Sequence, residues 1–169
     1  SLTVEAALDL SRAYAELARN EPDGDKRFDL FNASINAMKK VRQHDQSPAR
    51  RAESNLGVGR IVELKAAAER QHGSQARAAD YRDEAIASYQ TLILFESPRE
   101  IGVKPFLEEA YYRCLQLFLE KESWQDLFDD ASRYLELFER GQYALEVQNM
   151  RSRARARLAG AGQLPSDRE

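Results

Sequence analysis

Apolar residues recur along the chain every three or four positions, which is the period of an amphipathic α-helix. The clearest example is a face of four residues in the second predicted segment, formed by Phe28, Phe31, Ile35 and Met38. No stretch alternates apolar and polar positions with β-branched residues, as a half-buried strand would. The pattern therefore predicts an all-α chain without a sheet.

Helix start and stop signals divide this pattern into seven segments. Thr3 is expected to cap the first segment, which runs to about Arg19, and Asp25 is expected to cap the second. Ser47-Pro48 opens the third, because serine can cap a helix and proline at the first helical position lacks an N–H that would have no partner there. Ser123 opens the sixth in a sequence that resembles a capping box. Segments four, five and seven follow Ser74, Pro105 and Gly141.

Each segment has an apolar face that we expect to be buried. In the first segment this face consists of Leu10, Tyr14 and Leu17. The faces of the third to seventh segments are Gly57, Ile61, Leu64 and Ala68; Tyr81, Ala85, Tyr89, Leu92 and Phe95; Leu107, Tyr111, Cys114 and Phe118; Trp124, Leu127, Ala131, Tyr134, Leu135 and Phe138; and Tyr143, Val147, Met150, Ala154 and Leu158. Because the connections are short, neighbouring helices must pair antiparallel, in a bundle or in a solenoid of helical hairpins.

Composition favours one helical domain. The 169 residues are 43% apolar and 31% charged, and eight Gly and five Pro leave few breaks between helices. The single cysteine, Cys114, excludes an intrachain disulfide and is expected to be a small core residue. Apolar runs such as Leu92 to Phe95 are far shorter than the ~18 residues of a membrane span, so we expect no membrane insertion. We expect a frayed tail over residues 161–169. Because the chain opens on Ser-Leu-Thr just before a helical pattern, we also expect it to belong to a longer protein.

Charge is distributed unevenly. Residues 96–150 carry six basic and twelve acidic side chains, whereas residues 151–169 carry five basic and two acidic ones. The arginines of the last helix are Arg151, Arg153, Arg155 and Arg157. We expect them to pair with acidic residues of the preceding helix, namely Asp126, Asp129, Asp130, Glu136 and Glu139, rather than to bind nucleic acid.

The residues that could carry chemistry are few. His44 and His72 both fall near predicted helix ends, where a cation complements the helix dipole, so we expect structural roles for them. Gly57-x-Gly59 lies inside a helical pattern, which favours a packing contact over a phosphate-binding loop. No nucleophile has a base at a suitable spacing. We therefore expect no catalytic residues, no cofactor and no metal site.

Two stretches resemble the tetratricopeptide repeat. In SPARRAESNLG, from Ser47 to Gly57, Ala52 and Leu56 precede Gly57 at the places where that repeat has a small residue, a leucine and a glycine. EAIASYQTLILFESP, from Glu84 to Pro98, resembles the second helix of the repeat. The Ser-Pro junction and the long helices are similar to the bacterial cell-envelope branch of the family. The resemblance implies a right-handed α-solenoid of about three long antiparallel helical hairpins plus a C-terminal capping helix, over residues 1–160. It favours the periplasm or cell envelope over the cytoplasm.

The resemblance also implies a function, a non-catalytic interaction domain that binds a peptide or partner protein in a concave groove. The implied groove residues are Arg51, Ser54, Val58, Ile61 and Val62 on the third helix and Glu109, Tyr112, Gln116, Leu119 and Glu120 on the fifth. The apolar patch of Val58, Ile61 and Val62 can contact a ligand or can be covered by another helix of this chain or of a second copy. A structural spacer or homo-oligomeric self-association module is the alternative function.

Overall fold

In a computed structural model of the protein, residues 3–161 are described, and they form seven α-helices and no strand. The helices are α1 Val4–Asn20, α2 Gly24–His44, α3 Pro48–His72, α4 Gln75–Phe95, α5 Lys104–Lys121, α6 Trp124–Leu137 and α7 Ala144–Gly160. The all-α prediction is confirmed. No helix within the described range is both long and apolar enough to cross a bilayer.

The structure divides the chain into two compact units, with the boundary between Leu107 and Glu108 inside α5. The first unit contains α1 to α4 and the second contains α6 and α7. The single repeat domain over residues 1–160 stays a prediction. Of the predicted tail, residues 162–169 lie outside the described part of the chain.

Side-chain capping sets the start of three of the helices, α1, α2 and α3. The Thr3 side chain accepts a hydrogen bond from the backbone N–H of Ala6, and Ser47 accepts one from Arg50, so both predicted caps are confirmed. The prediction for the second helix was wrong by two residues, because the cap is Asp23, which accepts from two backbone N–H groups. Ser123 makes no side-chain capping bond, so the predicted capping box does not form.

Helices α1 and α2 are held together through serines. The Ser11 hydroxyl donates to the backbone oxygen of Ser34 at 3.0 Å, and the Ser34 hydroxyl donates to that of Ser11 at 2.7 Å. The buried face of α1 consists of four small residues, Ala7, Ser11, Ala15 and Ala18. The predicted face of α1 was wrong, since Leu10 and Leu17 are 36% and 59% exposed. Small residues pack there because only they allow so close an approach to α2.

Helix α3 is packed from both sides at two glycines. A Cβ atom on Gly57 would lie 2.6 Å from the Met38 side chain of α2, and one on Gly59 would lie 2.7 Å from Cδ1 of Tyr89 of α4. Residues two positions apart point about 200° apart on a helix, so the two glycines serve opposite faces. The predicted packing role of Gly57-x-Gly59 is confirmed.

Two further residues of the first unit that were predicted to be buried lie at its surface. Phe28 is 47% exposed and Phe95 is 78% exposed, whereas Phe31 and Leu92 on the same two helices are buried as predicted. Phe95 is the last residue of α4.

In the second unit, aromatic rings and one carboxylate form part of the core. Tyr111 meets Tyr134 and Phe138 edge to face, with ring centroids 6.2 and 6.0 Å apart. The Tyr134 hydroxyl donates to the buried Glu108 carboxylate at 2.7 Å, and the backbone N–H of Gln142 donates to the same oxygen. Glu108 thus ties α6 to the turn that precedes α7. Cys114 is buried, as predicted.

Two of the four arginines of α7 contact an aromatic ring of α6, and the pairing of all four with acidic residues stays a prediction. The guanidinium groups of Arg153 and Arg157 lie over the Trp124 ring, 5.7 and 5.4 Å from its centroid. Asp130, one of their predicted partners, instead pairs with Arg133 of its own helix at 3.3 Å. Cation–π contact with Trp124 therefore joins this face of α7 to the start of α6.

Gly59→Ala should destabilise the protein by about 1–3 kcal/mol, because the added methyl group would overlap the fully buried ring of Tyr89. Gly24→Ala is the control within the same unit and should change the free energy of unfolding by less than ~1 kcal/mol, since its nearest neighbour lies 3.8 Å away. Urea denaturation followed by circular dichroism measures both. A Gly59→Ala protein as stable as the wild type would show that α3 and α4 do not pack this closely.

Asp130→Asn should alter the pH dependence of stability. Burial raises the pKa of the Asp130 carboxyl above its ordinary value of 3.8, against the opposing charge of Arg133. The folded state therefore holds this proton more tightly than the unfolded state, and the free energy of unfolding falls as pH rises through that window. Denaturation between pH 3.5 and 7 should show this fall in the wild type and in Asp129→Asn but less of it in Asp130→Asn. An unchanged pH dependence in Asp130→Asn would contradict the assignment.

Candidate functional site

An apolar cleft of about 220 Å³ lies between α1 and α3 in the first unit, and we name it the α1–α3 cleft. Most of the surface that lines it is apolar. Its lining residues are Leu8, Ser11, Arg12 and Ala15 of α1, Met38 of α2, Glu53, Leu56, Gly57, Arg60, Ile61 and Leu64 of α3, and Phe106 of α5.

Small residues on the cleft walls explain why this space stays open. Ser11, Ala15 and Gly57 have too little side chain to fill the gap between the helices. Leu8 and Leu64 are half-buried and pack against the core cluster around Phe31 and Met38. The cleft therefore presents the edge of the hydrophobic core to solvent.

Charged side chains of both signs lie at the rim of the cleft. Arg12 pairs with Asp9 one turn earlier on α1, with 3.4 Å between the charged atoms. Glu53 pairs with Arg50 one turn earlier on α3 at 2.6 Å. An apolar centre with a polar rim is the usual anatomy of a surface that binds another protein.

Three of the groove residues predicted on α3 are buried in the first unit. Ser54, Ile61 and Val62 are at most 4% exposed, so they are core residues. The Ser54 hydroxyl donates to the backbone oxygen of Met38 at 2.9 Å, which fastens α3 to α2. Ile61 alone of these three lines the α1–α3 cleft. The physical reason is that α2 and α4 cover α3 on two faces and leave little of it open.

The other two predicted residues of α3 lie outside the cleft lining. Arg51 makes a two-bond contact with the Glu96 carboxylate, through Nε at 3.2 Å and Nη2 at 3.3 Å. This pair raises the pKa of the Arg51 guanidinium and holds the segment after α4 against the start of α3. Val58 is half-buried and packs against the core cluster of the first unit.

The cleft residues of α3 form one helical stripe, which shares only Ile61 with the groove residues that the resemblance implied on this helix. Positions 53, 56, 57, 60, 61 and 64 have the spacing of one helix face, whereas the predicted set lies about one residue, or 100°, around the helix. The apolar periodicity was the better signal. It had already placed Gly57, Ile61 and Leu64 on one face.

The groove residues predicted on α5 all lie in the second unit. Tyr112 stacks on Tyr143 with ring centroids 3.9 Å apart, and its hydrogen bond to Glu146 raises its pKa to about 12. Glu109 pairs with Arg113 at 2.7 Å. Gln116 and Glu120 are exposed and Leu119 is half-buried. Tyr112 and Glu109 thus take part in contacts within this unit.

The candidate catalytic groups are scattered. His44 and His72 are both exposed, at the C-terminal ends of α2 and α3. Within residues 3–161 no group of three His, Cys, Asp or Glu side chains is placed to hold a metal ion.

Comparisons of the chain with protein-family models, with curated proteins and with solved structures find no match. Its function therefore has to be inferred from its own side chains.

Arg51→Met should destabilise the protein, because the buried Glu96 carboxylate would lose its charged partner. Glu96→Gln should recover part of this loss in the Arg51→Met background, and a double-mutant cycle on unfolding free energies measures the coupling. Additive effects of the two changes would contradict a structural role for Arg51.

Proposed function

We propose that this chain is a non-catalytic interaction domain that binds an apolar segment of a partner protein or peptide in the α1–α3 cleft. The observation that carries the proposal is the cleft itself, an apolar concavity of about 220 Å³ at the edge of the core, with charges at its rim. A cleft of this size accommodates a few large apolar side chains rather than a whole cofactor.

The packing order in the first unit supports the tetratricopeptide-like part of the proposal. Helix α1 packs on α2, α2 on α3 and α3 on α4, and α1 also contacts α3. Stacked helical hairpins have such contacts, because the first helices of successive hairpins lie side by side. We extend this order to a right-handed solenoid of about three hairpins with α7 as its cap. The likeness to envelope-type repeats favours the periplasm or cell envelope as its location.

The proposed partner presents apolar side chains on one face, as an amphipathic helix does. Leu8 and Leu64 would contact its apolar face, and the rim residues Arg12 and Glu53 would contact polar groups beside it. Helix-in-groove recognition of this kind uses anchors spaced along one helix face.

Selection of a random peptide library against the wild-type chain should yield amphipathic peptides, and Leu8→Glu should weaken their binding at least tenfold. A carboxylate introduced beside Met38 and Leu64 would be desolvated by an apolar ligand. Fluorescence anisotropy with labelled peptides measures the affinity, and circular dichroism checks that helicity is retained.

Leu145→Glu is the matched control, because Leu145 is 72% exposed and lies on α7. It should bind the selected peptides as the wild type does. Peptides that bind Leu8→Glu with unchanged affinity would contradict the proposal.

Self-association is the second candidate function, and three exposed apolar residues favour it. Leu94, Phe95 and Ile101 are 76%, 78% and 95% exposed around the end of α4. Sedimentation at micromolar concentration distinguishes the two functions. A stable dimer that Phe95→Ser dissociates would favour a self-association module, whereas a monomer that binds the selected peptides would favour the interaction domain.

A further inference from the structure

The α1–α3 cleft continues into a second cavity between the same two helices. This second cavity has a volume of about 190 Å³. Leu64 lines both cavities, so they adjoin, and we name the space that they form together the extended groove. The residues that line the second cavity are Arg19 and Asn20 of α1 and Leu64, Ala67, Ala68 and Gln71 of α3. The concave surface between α1 and α3 is therefore longer than the α1–α3 cleft alone.

Helices α1 and α3 run in the same direction along the extended groove. Their first turns are adjacent, since the Arg50 guanidinium lies 3.7 Å from the Glu5 carboxylate. The lining then extends over residues 8–20 of α1 and over residues 53–71 of α3. At a rise of about 1.5 Å per residue these stretches are roughly 18 and 27 Å long, which is the length of a helix of about three to five turns.

The two halves of the extended groove differ in polarity. Most of the surface that lines the α1–α3 cleft is apolar, whereas most of the surface that lines the second cavity is polar. In that second half Ala67 and Ala68 have only small side chains, and Gln71 is exposed. Large apolar side chains of a ligand therefore fit between Leu8 and Leu64, and the part of the ligand beyond Leu64 meets polar groups.

Charged residues of the lining are ordered by sign along the groove. Glu53 lies near the end where α3 begins, and Arg19 lies at the opposite end, in the last turn of α1, with Arg12 and Arg60 between them. Arg19 pairs with Glu16 one turn earlier at 3.3 Å, but both side chains are more than half exposed. Because such surface pairs contribute little, the Arg19 guanidinium can exchange this partner for an acidic group of a ligand.

The ends of α1 and α3 favour one direction for a helix bound between them. Both helices end beside the second cavity, and the carbonyl groups at a helix C-terminus carry partial negative charge. A helix N-terminus carries partial positive charge and is stabilised by acidic residues in its own first turn. An N-terminus placed at this end therefore faces two helix C-termini, while its acidic side chains face Arg19. The basic residues that stabilise the other end of the bound helix then face Glu53.

We propose that the extended groove binds one amphipathic helix of a partner protein antiparallel to α1 and α3, with its acidic N-terminal turn at Arg19 and its basic C-terminal turn at Glu53. The apolar face of this helix fills the α1–α3 cleft between Leu8 and Leu64. The inference rests on the proposed function and adds the length, the direction and the charge order of the bound segment.

The direction is tested with a probe peptide of about 18 residues, or five turns, that keeps the apolar face of a peptide selected against the wild-type chain. The probe has glutamates in its first turn and lysines in its last. A nitroxide at its N-terminus should broaden the amide signals of Arg19 and Gln71 in the ¹⁵N-labelled chain. A nitroxide at its C-terminus should broaden those of Leu8 and Glu53. The opposite pattern would overturn the proposed direction and would leave binding in the cleft intact.

The charge order is tested with a second peptide in which the glutamates and the lysines exchange places. It should bind the wild type at least about threefold more weakly. Because the exchange also lowers the helix propensity of the peptide, a variant separates the two effects. In Arg19→Gln the difference between the peptides should shrink. Arg42→Gln is the matched control, since Arg42 is an exposed arginine in the last turn of α2, and it should keep the full difference. A difference of equal size in the wild type and in Arg19→Gln would contradict the charge order.

Failure of the proposed function gives a different result from failure of this inference. If no library peptide binds, or if Leu8→Glu has no effect on binding, the cleft is not the binding site and the inference fails with it. A shortened probe of about nine residues that covers only the apolar half should bind more weakly than the full probe. If it binds equally tightly, the groove does not extend beyond Leu64 for this ligand, whereas the proposed function stands.

Discussion

The first unit depends on the close approach of two helices to opposite faces of α3. Gly57 makes room for Met38 of α2, and Gly59 makes room for the ring of Tyr89 of α4. With Tyr89 in that space, its hydroxyl reaches the Glu63 carboxylate on the same helix as the glycines. Side chains of ordinary size at these two positions would push α2 and α4 outward and open the core between them.

Packing through small residues also decides which apolar residues are exposed at the surface. The serine pair between α1 and α2 buries small residues and leaves Leu10 and Leu17 outside. Because Ser11, Ala15 and Gly57 have small side chains, they also leave the α1–α3 cleft unfilled between Leu8 and Leu64. A helix that packs through its alanines and serines leaves its larger apolar residues exposed, as the proposed interaction domain requires.

Several features of the sites could be predicted from the sequence and others could not. The apolar stripe of α3 correctly brought Gly57, Ile61 and Leu64 together, because a stripe depends only on helix geometry. Three groove residues implied by the resemblance, Ser54, Ile61 and Val62, are buried. The resemblance assigns groove residues on the assumption that the neighbouring helices pack as they do in the family. Arg51 pairs with Glu96, and Lys65 lies between the rings of Phe28 and Tyr81. Both contacts join residues far apart in sequence, so no local pattern predicts them.

The sequence by itself determined where α1 and α3 begin and that no strand would form in the part of the chain described here. Caps such as Thr3 and Ser47 act on N–H groups three residues away, so the information they need is local. Only the tertiary structure decided that α1 buries its small residues rather than Leu10 and Leu17. That choice depends on how closely a neighbouring helix can approach, and so on side chains far away in sequence, as Met38 and Tyr89 are from the glycines they contact.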